Sequence, residues 1–294
     1  MPLPAVGFIF DIPRFIVFSR KMQYNMENPF FTGGLFMTDE LHGNLPGRSI
    51  EYHGRIDSTN IRARQLGAAG APHMTMVLAN EQTAGRGRMT RQWISPPGQN
   101  VYMTLLLRPP LPAYRAPELV FLSAVAACDA VNALVGQSVT KIKWPNDLVI
   151  GTKKISGTLL ELATDGAMID YAVDGIGINV FGEQFPPELP YAGSIESTTG
   201  RQISRMELVA RFLDNVEPLY ERWLRDGFAP ILDACRTRSA TLGRRVRALC
   251  PDGEHIGTAL DFDPSGALIV RTDGGETLTL TAGDVSVRGL MDYI

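Results

Sequence analysis

The spacing of apolar residues predicts a mixed α/β arrangement from about residue 48 onward. Apolar runs predict three strands, at 48–56, 74–79 and 101–107. Between the first two, a short helix over 61–66 is preceded by cap residues and ends at Gly67. The segment 117–134 has helical apolar spacing and few charges, which is typical of a helix that is buried on most of its surface.

Further strands are predicted in the middle of the chain. Two strand-like runs, 141–150 and 155–163, flank the turn-forming Gly151. The dipeptide Asp165-Gly166 has the composition of a hairpin turn and leads into a third run over 168–180. Strands, a buried helix and more strands in this order predict an α/β domain.

The last third of the chain changes character. Ser204 and Glu207 have the spacing of a capping box and open a predicted amphipathic helix that reaches about Arg225, and a shorter helix follows over 230–239. Beyond Gly243, short alternating strands are separated by turn signals at roughly ten-residue spacing, as in a small β-barrel. We therefore predict a domain boundary near residue 240.

The chain is thus divided into three regions: a poorly defined N-terminal extension (1–47), the main domain (48–239) and the barrel (240–294). Apolar patches within the extension are interrupted by Asp11, Pro13 and Arg14. They fall well short of the ~20 apolar residues that a membrane span needs. We expect no interaction with a membrane.

Composition narrows the class of protein. The chain has 294 residues, of which 45% are hydrophobic and 20% charged, and its formal net charge is -3. This balance is typical of a globular protein and disfavours a surface that coats nucleic acid or an anionic membrane. The three cysteines and four histidines are scattered without zinc-ligand spacing. We expect a cytoplasmic protein, since free cysteines suit a reducing compartment.

One loop is cationic against this background. Residues 85–93, GRGRMTRQW, contain three arginines and two glycines and no acidic residue. Glycine lets a backbone approach an oxyanion closely, and the guanidinium fork binds phosphate or carboxylate. A solvated surface loop is the competing interpretation. The segment is not a dinucleotide-binding GxGxxG motif, because Thr90 stands where the third glycine would be, and the chain contains no GxxxxGK[ST] motif.

Four more polar segments accompany this loop, and the five occur in one order. They are DSTN (57–60), EQTAGRGR (81–88) followed by Trp93, KWPNDL (143–148), KKISGTLLE (153–161) and GIGIN (175–179). In order and spacing the set resembles the catalytic domain of biotin protein ligases. The resemblance implies an α/β (α+β) mixed-sheet catalytic domain of the class II synthetase-like biotin/lipoate ligase type, followed by a small C-terminal SH3-like β-barrel.

The resemblance also implies a reaction. ATP activates biotin to biotinyl-5'-adenylate with Mg²⁺ on the phosphates, and the biotinyl group then passes to a lysine of a biotin carboxyl carrier protein, a subunit of acetyl-CoA carboxylase. Lys154, Arg86 and Arg88 match the family's catalytic positions. Neighbours in a strand point to opposite faces, so only one of Lys153 and Lys154 can enter the site, and the family register selects Lys154.

The resemblance assigns binding residues as well. The positions matched to biotin are Ser58, Thr59, Asn60, Gln82, Arg86, Gly87, Arg88, Lys154 and Gly157. Those matched to ATP and the adenylate are Gly85, Arg88, Trp93, Asn146, Asp147 and Asn179. Structural roles compete with some of these: Ser58 and Thr59 suit a helix N-cap, Trp93 could belong to the core, and Asn146-Asp147 suits a turn.

Alternatives within and outside the family stay open. A lipoate protein ligase or lipoyl transferase shares the architecture, although it usually lacks this GRGR loop together with KWPND. A bifunctional ligase and repressor, or a catalytically silent biotin-binding module, is the other alternative. Residues 1–47 contain no capped pair of helices, so we predict the monofunctional class without nucleic-acid binding, and a homodimer is compatible with the resemblance. Thr90 departs from the glycine that is usual in the family, which affects the expected loop closure.

Overall fold

A seven-stranded mixed sheet is the framework of the computed structural model, which describes residues 41–89, 91–182, 185–250, 253–282, 286–289 and 293–294. The strands are β1 (Ile50–His53), β2 (Thr75–Ala79), β3 (Asn100–Leu107), β4 (Thr140–Lys143), β5 (Asp147–Ile150), β6 (Lys153–Asp165) and β7 (Met168–Asn179). Their order across the sheet is β1-β2-β3-β7-β6-β5-β4. Only β1 and β2 pair in parallel, and the other five pairings are antiparallel. The predicted mixed-sheet fold is confirmed.

One strand prediction was wrong in detail. The run 141–150 forms two strands, β4 and β5, and not one. Trp144, Pro145 and Asn146 form the tight turn between them, and the Trp144–Pro145 peptide is cis. Proline has no backbone N–H to donate to a ladder, so the apolar run cannot continue as a single strand through this point.

Five helices accompany the sheet in the described part of the chain: α1 (Thr59–Ala68), α2 (Pro117–Val135), α3 (Ile195–Thr199), α4 (Arg205–Asp226) and α5 (Ala229–Arg238). A 3-10 turn, Ala113–Arg115, precedes α2. Within the described residues, Ala113–Val135 is the one helical stretch long and apolar enough to cross a membrane. Of its most apolar window, 72% is buried inside the fold, which fits a core helix.

The two faces of the sheet are covered unequally. The large core cluster joins one face to α2, α4 and α5. On the opposite face α1 packs through Ala63 against Val77, Leu106, Tyr171 and Val173. Leu106 lies near the end of β3, and Tyr171 and Val173 lie in the first half of β7. Further along β7, Gly175, Gly177 and Asn179 line a cavity that α1 leaves open.

The C-terminal part forms a second sheet of five antiparallel strands. They are β8 (Arg245–Cys250), β9 (Gly253–Phe262), β10 (Leu268–Thr272), β11 (Thr277–Leu280) and β12 (Ser286–Gly289), in the order β11-β10-β9-β8-β12. This agrees with the expected SH3-like barrel. The described residues, from 41 onward, form one compact unit. The buried Trp144 joins the two sheets, because its backbone N–H donates to Thr241 and its indole N–H donates to the Gly266 carbonyl, each at 3.0 Å.

Candidate functional site

A cavity of about 490 Å³ lies on the face of the main sheet that α1 leaves open. It is lined by all the predicted site residues except Gly85, namely Ser58, Thr59, Asn60, Gln82, Arg86, Gly87, Arg88, Trp93, Asn146, Asp147, Lys154, Gly157 and Asn179. Gly85 lies behind the wall, where its carbonyl accepts a hydrogen bond of 2.9 Å from the Trp93 N–H. The five sequence segments therefore meet at one place.

Neutral polar groups at the start of α1 form one end of the cavity. The backbone N–H and the hydroxyl of Thr59 lie 2.9 and 3.1 Å from Gln82 Oε1 and donate to it. Thr104 Oγ1, from the adjacent β3, lies 2.8 Å from Thr59 Oγ1 and 2.7 Å from Asn60 Oδ1. Ser58 occupies the N-cap position of α1, but its side chain makes no capping hydrogen bond. The competing N-cap interpretation is thus unsupported for the Ser58 hydroxyl.

A buried glycine makes room for this polar cluster. Gly175 lies on β7 directly beneath the Asn60 side chain, and a Cβ at this position would overlap the Asn60 amide. Any larger residue at position 175 would therefore push Asn60 out of place, because a backbone strand cannot retreat as a flexible side chain can.

Glu161 connects Asn60 to the cationic loop. Its Oε2 atom accepts hydrogen bonds from Asn60 Nδ2 at 2.9 Å and from Arg86 at 2.7 Å. Arg86 is therefore at the neutral polar end of the cavity. Arg88, two residues further on, donates at 2.9 Å to Asn146 Oδ1 and also donates to the Ala282 carbonyl of the C-terminal sheet. The two arginines predicted to act together thus reach different ends of the cavity.

The loop itself is a folded-back turn. The Gly87 N–H donates to the Arg91 carbonyl at 2.7 Å, and Met89 adopts a left-handed φ of 55°. Trp93 comes back against β7, where a Cβ on Gly177 would lie 2.5 Å from the indole ring. The predicted effect of Thr90 on loop closure lies outside the described residues.

Backbone pairing on both sides fixes Lys154 at the other end of the cavity. It pairs with Val149 of β5, next to a register shift that inserts one extra residue into β6. Its N–H donates to the Tyr191 carbonyl at 2.7 Å and its C=O accepts from the Gly193 N–H at 2.9 Å. Bulges of this kind redirect a side chain near a site. Lys153 instead points outward and donates to the Pro190 carbonyl at 2.8 Å.

Lys154 belongs to a cluster of three charged groups with Asp147 and Lys143. Its Nζ atom lies 2.5 Å from Asp147 Oδ1, and Gly157 gives this pair its space. Lys143 is 5% exposed, and its Nζ donates to the Val287 carbonyl at 2.8 Å. Burial lowers the pKa of Lys143 to about 8, although Asp147 opposes the shift. Burial also disfavours charge on Asp147, but Lys154 and Lys143 outweigh it and hold the pKa of that carboxyl below its usual range.

Sequence reasoning missed several residues that line or support the cavity. Lys143 lay within a quoted motif but was not assigned a role, and Thr104 and Glu161 looked like ordinary strand positions. Tyr293 contacts Asp147 through its hydroxyl, from 146 positions away. For Glu161 a signal existed, since a lone acid follows the apolar run of β6 on the face that carries Gly157. For Tyr293 the sequence contained no such signal.

Asn179 has a structural contact as well as a place in the wall. Its amide donates at 2.9 Å to the Gly193 carbonyl, and its side chain is buried at the end of β7. It thereby holds the segment that pairs with Lys154. Trp93 presents a further polar group, because its buried indole N–H has no hydrogen-bond partner among the described residues.

Comparison with known proteins identifies relatives of this chain. The sequence profile described as "Biotin/lipoate A/B protein ligase family" matches residues 52–179, and that described as "Biotin protein ligase C terminal domain" matches 241–288. A biotin–[acetyl-CoA-carboxylase] ligase of Paracoccus denitrificans is 38% identical over 80% of this chain and 99% of its own length. A bifunctional ligase/repressor BirA of Bacillus subtilis is 37% identical over 80% of this chain and 73% of its own length.

Solved structures agree with the sequence comparison. A biotin protein ligase from Aquifex aeolicus in complex with biotin and ATP superposes with a TM-score of 0.71 and 25% identity, covering 82% of this chain and 99% of that one. A biotin protein ligase from Leishmania major in complex with biotinyl-5-AMP has a TM-score of 0.52 and 26% identity, with 81% and 100% covered. With the five motifs lining one cavity, these findings show that the chain belongs to the biotin protein ligase family.

Proposed function

We propose that this protein is an ATP-dependent ligase that activates biotin to biotinyl-5'-adenylate and transfers the biotinyl group to a lysine of a biotin carboxyl carrier protein. The observation that carries the proposal is the polarity of the cavity. One end presents mainly neutral hydrogen-bonding groups, with Arg86 neutralised by Glu161, and the other presents Lys154 and the buried Lys143, within a single space of about 490 Å³. A ligand with a neutral polar head and an anionic tail, lying beside a nucleoside triphosphate, fits this difference between the two ends of the cavity.

The ureido ring of biotin fits the neutral end. A ureido group offers two N–H donors and one carbonyl acceptor, and Thr59, Asn60, Gln82 and Thr104 supply both kinds of partner there. Ser58 is buried beside them and lines the same wall. These residues are tied to one another before any ligand arrives, so little side-chain ordering is needed on binding. This pre-organisation favours a specific ligand over a general polar solute.

The carboxylate of biotin and the α-phosphate of ATP fit the cationic end. In the first step a carboxylate oxygen forms a bond to the α-phosphorus, and the bond from that phosphorus to the bridging oxygen of pyrophosphate breaks. Lys154 is the positioned charge that stabilises the developing negative charge on the phosphoryl oxygens, and Lys143 adds a second cation nearby. Holding the biotin carboxylate and the α-phosphate in contact supplies the remaining acceleration of the reaction, since proximity alone removes a large part of the barrier.

Magnesium fits as a companion of ATP and not as a resident ion. Among the described residues no three His, Cys, Asp or Glu side chains converge on a point that could hold a metal. Asp147, the acid beside Lys154 and Lys143, is occupied by Lys154 and by the Tyr293 hydroxyl. We therefore assign magnesium to the phosphate oxygens, where it would neutralise charge on the leaving pyrophosphate.

The cationic loop suits the retention of the adenylate. Arg88 bridges Asn146 and Ala282 of the C-terminal part, and Trp93 lies against Gly177, so these two side chains of the loop border the cavity on one side. Covering the mixed anhydride excludes water and protects it from hydrolysis. In the second step the amine of the acceptor lysine attacks the biotinyl carbonyl and AMP leaves.

The name of the Paracoccus relative indicates the acceptor. We assign as partner the biotin carboxyl carrier subunit of acetyl-CoA carboxylase, and we propose a cytoplasmic site of action because that is where the expected substrates meet. The test is incubation with ATP, magnesium, a purified biotin carboxyl carrier domain and either labelled biotin or labelled lipoate. We expect transfer of biotin only. Transfer of lipoate, or no transfer with either acid, would overturn the proposal.

A further inference from the structure

Tyr293 lies inside the cationic end of the cavity although the chain reaches it from the C-terminal sheet. Its hydroxyl donates a hydrogen bond to Asp147 Oδ2, while Asp147 Oδ1 holds Lys154. Its ring centroid is 4.2 Å from Lys143 Nζ and 6.0 Å from Lys154 Nζ. One side chain therefore contacts the acid and both lysines of the proposed adenylation centre.

We propose that Tyr293 is a positioning residue for adenylate formation: its hydroxyl fixes Asp147, and through it Lys154, while its ring covers Lys143 and keeps water from it. The inference rests on the proposed function, since it refers to the first half of that reaction. It assigns a role in the reaction to a residue beyond the five motifs.

The hydroxyl acts through the orientation of a carboxylate. Asp147 is 5% exposed, and its two oxygens point to different partners, one to Lys154 and the other to Tyr293. Without the tyrosine hydroxyl, one oxygen loses its buried donor and the carboxylate is free to rotate towards another donor. Because Asp147 sets the position of Lys154 Nζ, that rotation moves the cation away from the reacting phosphoryl group.

The ring acts through solvation. Lys143 is faced by Asp147 and Lys154, by Arg88 and Arg288, and by the carbonyl of Val287. Tyr293 covers the ammonium as a cation–π partner, and the guanidinium of Arg288 lies 5.0 Å from the same ring. Removing the ring forfeits this attraction but admits water to Lys143, and because burial is the largest cause of its lowered pKa, the net effect should be a smaller cost of its charge.

The decisive experiment compares two variants of the full-length protein. Tyr293→Phe removes the hydroxyl and keeps the ring, and Tyr293→Leu removes both. The single-turnover rate of biotinyl-adenylate formation is measured with enzyme in excess over labelled biotin, with ATP and magnesium. We expect Tyr293→Phe to lower this rate about tenfold, the lower part of the range for a hydrogen bond to a charged group. The Kd for biotin should change much less than this rate, because the groups proposed to hold the ureido ring lie at the neutral end, which the substitution leaves untouched.

Two further readouts separate positioning from folding. Both variants should transfer the biotinyl group from added biotinyl-5'-adenylate to the carrier domain at the wild-type rate. The charge of Lys143 is followed through the alkaline limb of kcat/KM for ATP, which reports the free enzyme. This limb should be unchanged in Tyr293→Phe, which keeps the ring, and should move upward by about half a pH unit or more in Tyr293→Leu. Tyr114→Phe is the matched control, since Tyr114 is 81% exposed on the turn before α2.

The outcomes are distinguishable. If the wild-type protein forms no biotinyl-adenylate, the proposed function fails. If the wild-type protein is active and Tyr293→Phe forms adenylate at the same rate, the role of the hydroxyl is refuted. An alkaline limb that stays in place in Tyr293→Leu refutes the role of the ring. An equal loss in both half-reactions would mean that Tyr293 serves only to hold the fold.

Discussion

Asp174 is a carboxyl group buried in β7, on the face that packs against α2, and it should make folding stability depend on pH. Its side chain is 0% exposed, and Ser123 donates a hydrogen bond to one of its oxygens. The other oxygen has no hydrogen-bond partner among the described residues. Burial raises the pKa of Asp174 to about 7, and the contact with Ser123 opposes the rise only in part.

The sign of the effect follows from linkage. A carboxyl whose pKa is raised on folding binds its proton more tightly in the folded state. The free energy of unfolding therefore falls as pH rises from the ordinary value of 3.8 through the folded value near 7. With these two values the loss between pH 5 and pH 8 is on the order of 2 to 3 kcal/mol. The Asp174→Asn variant cannot titrate, so it should gain about this much on the wild type over the same interval.

The assay is urea unfolding at pH 5 and pH 8, followed by circular dichroism and tryptophan fluorescence. An asparagine amide left unpaired costs about 1–3 kcal/mol at either pH, so the diagnostic quantity is the change between the two pH values. Asp165→Asn, at the exposed hairpin between β6 and β7, is the control, and its difference in stability from the wild type should be the same at both pH values because it keeps Asp174. If the stability difference between Asp174→Asn and wild type is the same at pH 5 and pH 8, Asp174 does not carry a buried proton and the reasoning is refuted.

Three further predictions concern the site. Lys154→Ala should abolish pyrophosphate release on mixing with biotin and ATP. The control Lys153→Ala should retain nearly full activity, because the Lys153 side chain points outward. Full activity of Lys154→Ala would exclude Lys154 from the mechanism. Arg88→Gly should release biotinyl-adenylate faster in a filter-binding assay, because the bridge to Asn146 is lost; an unchanged release rate would argue against a covering loop. Gly177→Ala should displace the Trp93 ring and weaken adenylate retention while unfolding stability changes little, and unaltered retention would contradict the packing seen here.

The sequence predicted most of what depends on local pattern. The order of strands and helices and the buried α2 follow from periodicity, which is a property of neighbouring residues. Alternation shows that only one of Lys153 and Lys154 can enter the site, whereas the choice of Lys154 and the mixed sheet came from the resemblance to biotin protein ligases. The predicted strand over 48–56 is shorter in the structure, at Ile50–His53, since periodicity locates a strand better than it locates its ends. The domain boundary near 240, the absence of nucleic-acid binding, the homodimer and the individual roles of the site residues stay predictions.

Contacts between distant segments were beyond the sequence. Arg86 and Arg88 are two residues apart in one motif and were expected to act on the same anions, yet they contact Glu161 and Asn146 respectively. A charged pattern shows that a loop needs an anionic partner but does not say which one. The burial of Asp174 could not be predicted either, because β7 carries two acids, Asp170 and Asp174, and the sequence pattern does not show that only the second is buried.

The KWPND segment explains why contacts from both sheets hold the cationic end of the cavity in place, whereas contacts from the main sheet alone hold the neutral end. Its tryptophan, Trp144, is anchored in the C-terminal sheet by two hydrogen bonds. The residues on either side of the turn face the cavity, with Lys143 tied to Val287 and Asp147 tied to Tyr293. Thr59, Asn60 and Gln82, in contrast, are held by groups of the main sheet and its loops. A change at the interface between the two sheets should therefore alter the reaction of the biotin carboxylate with ATP and leave recognition of the ureido ring intact.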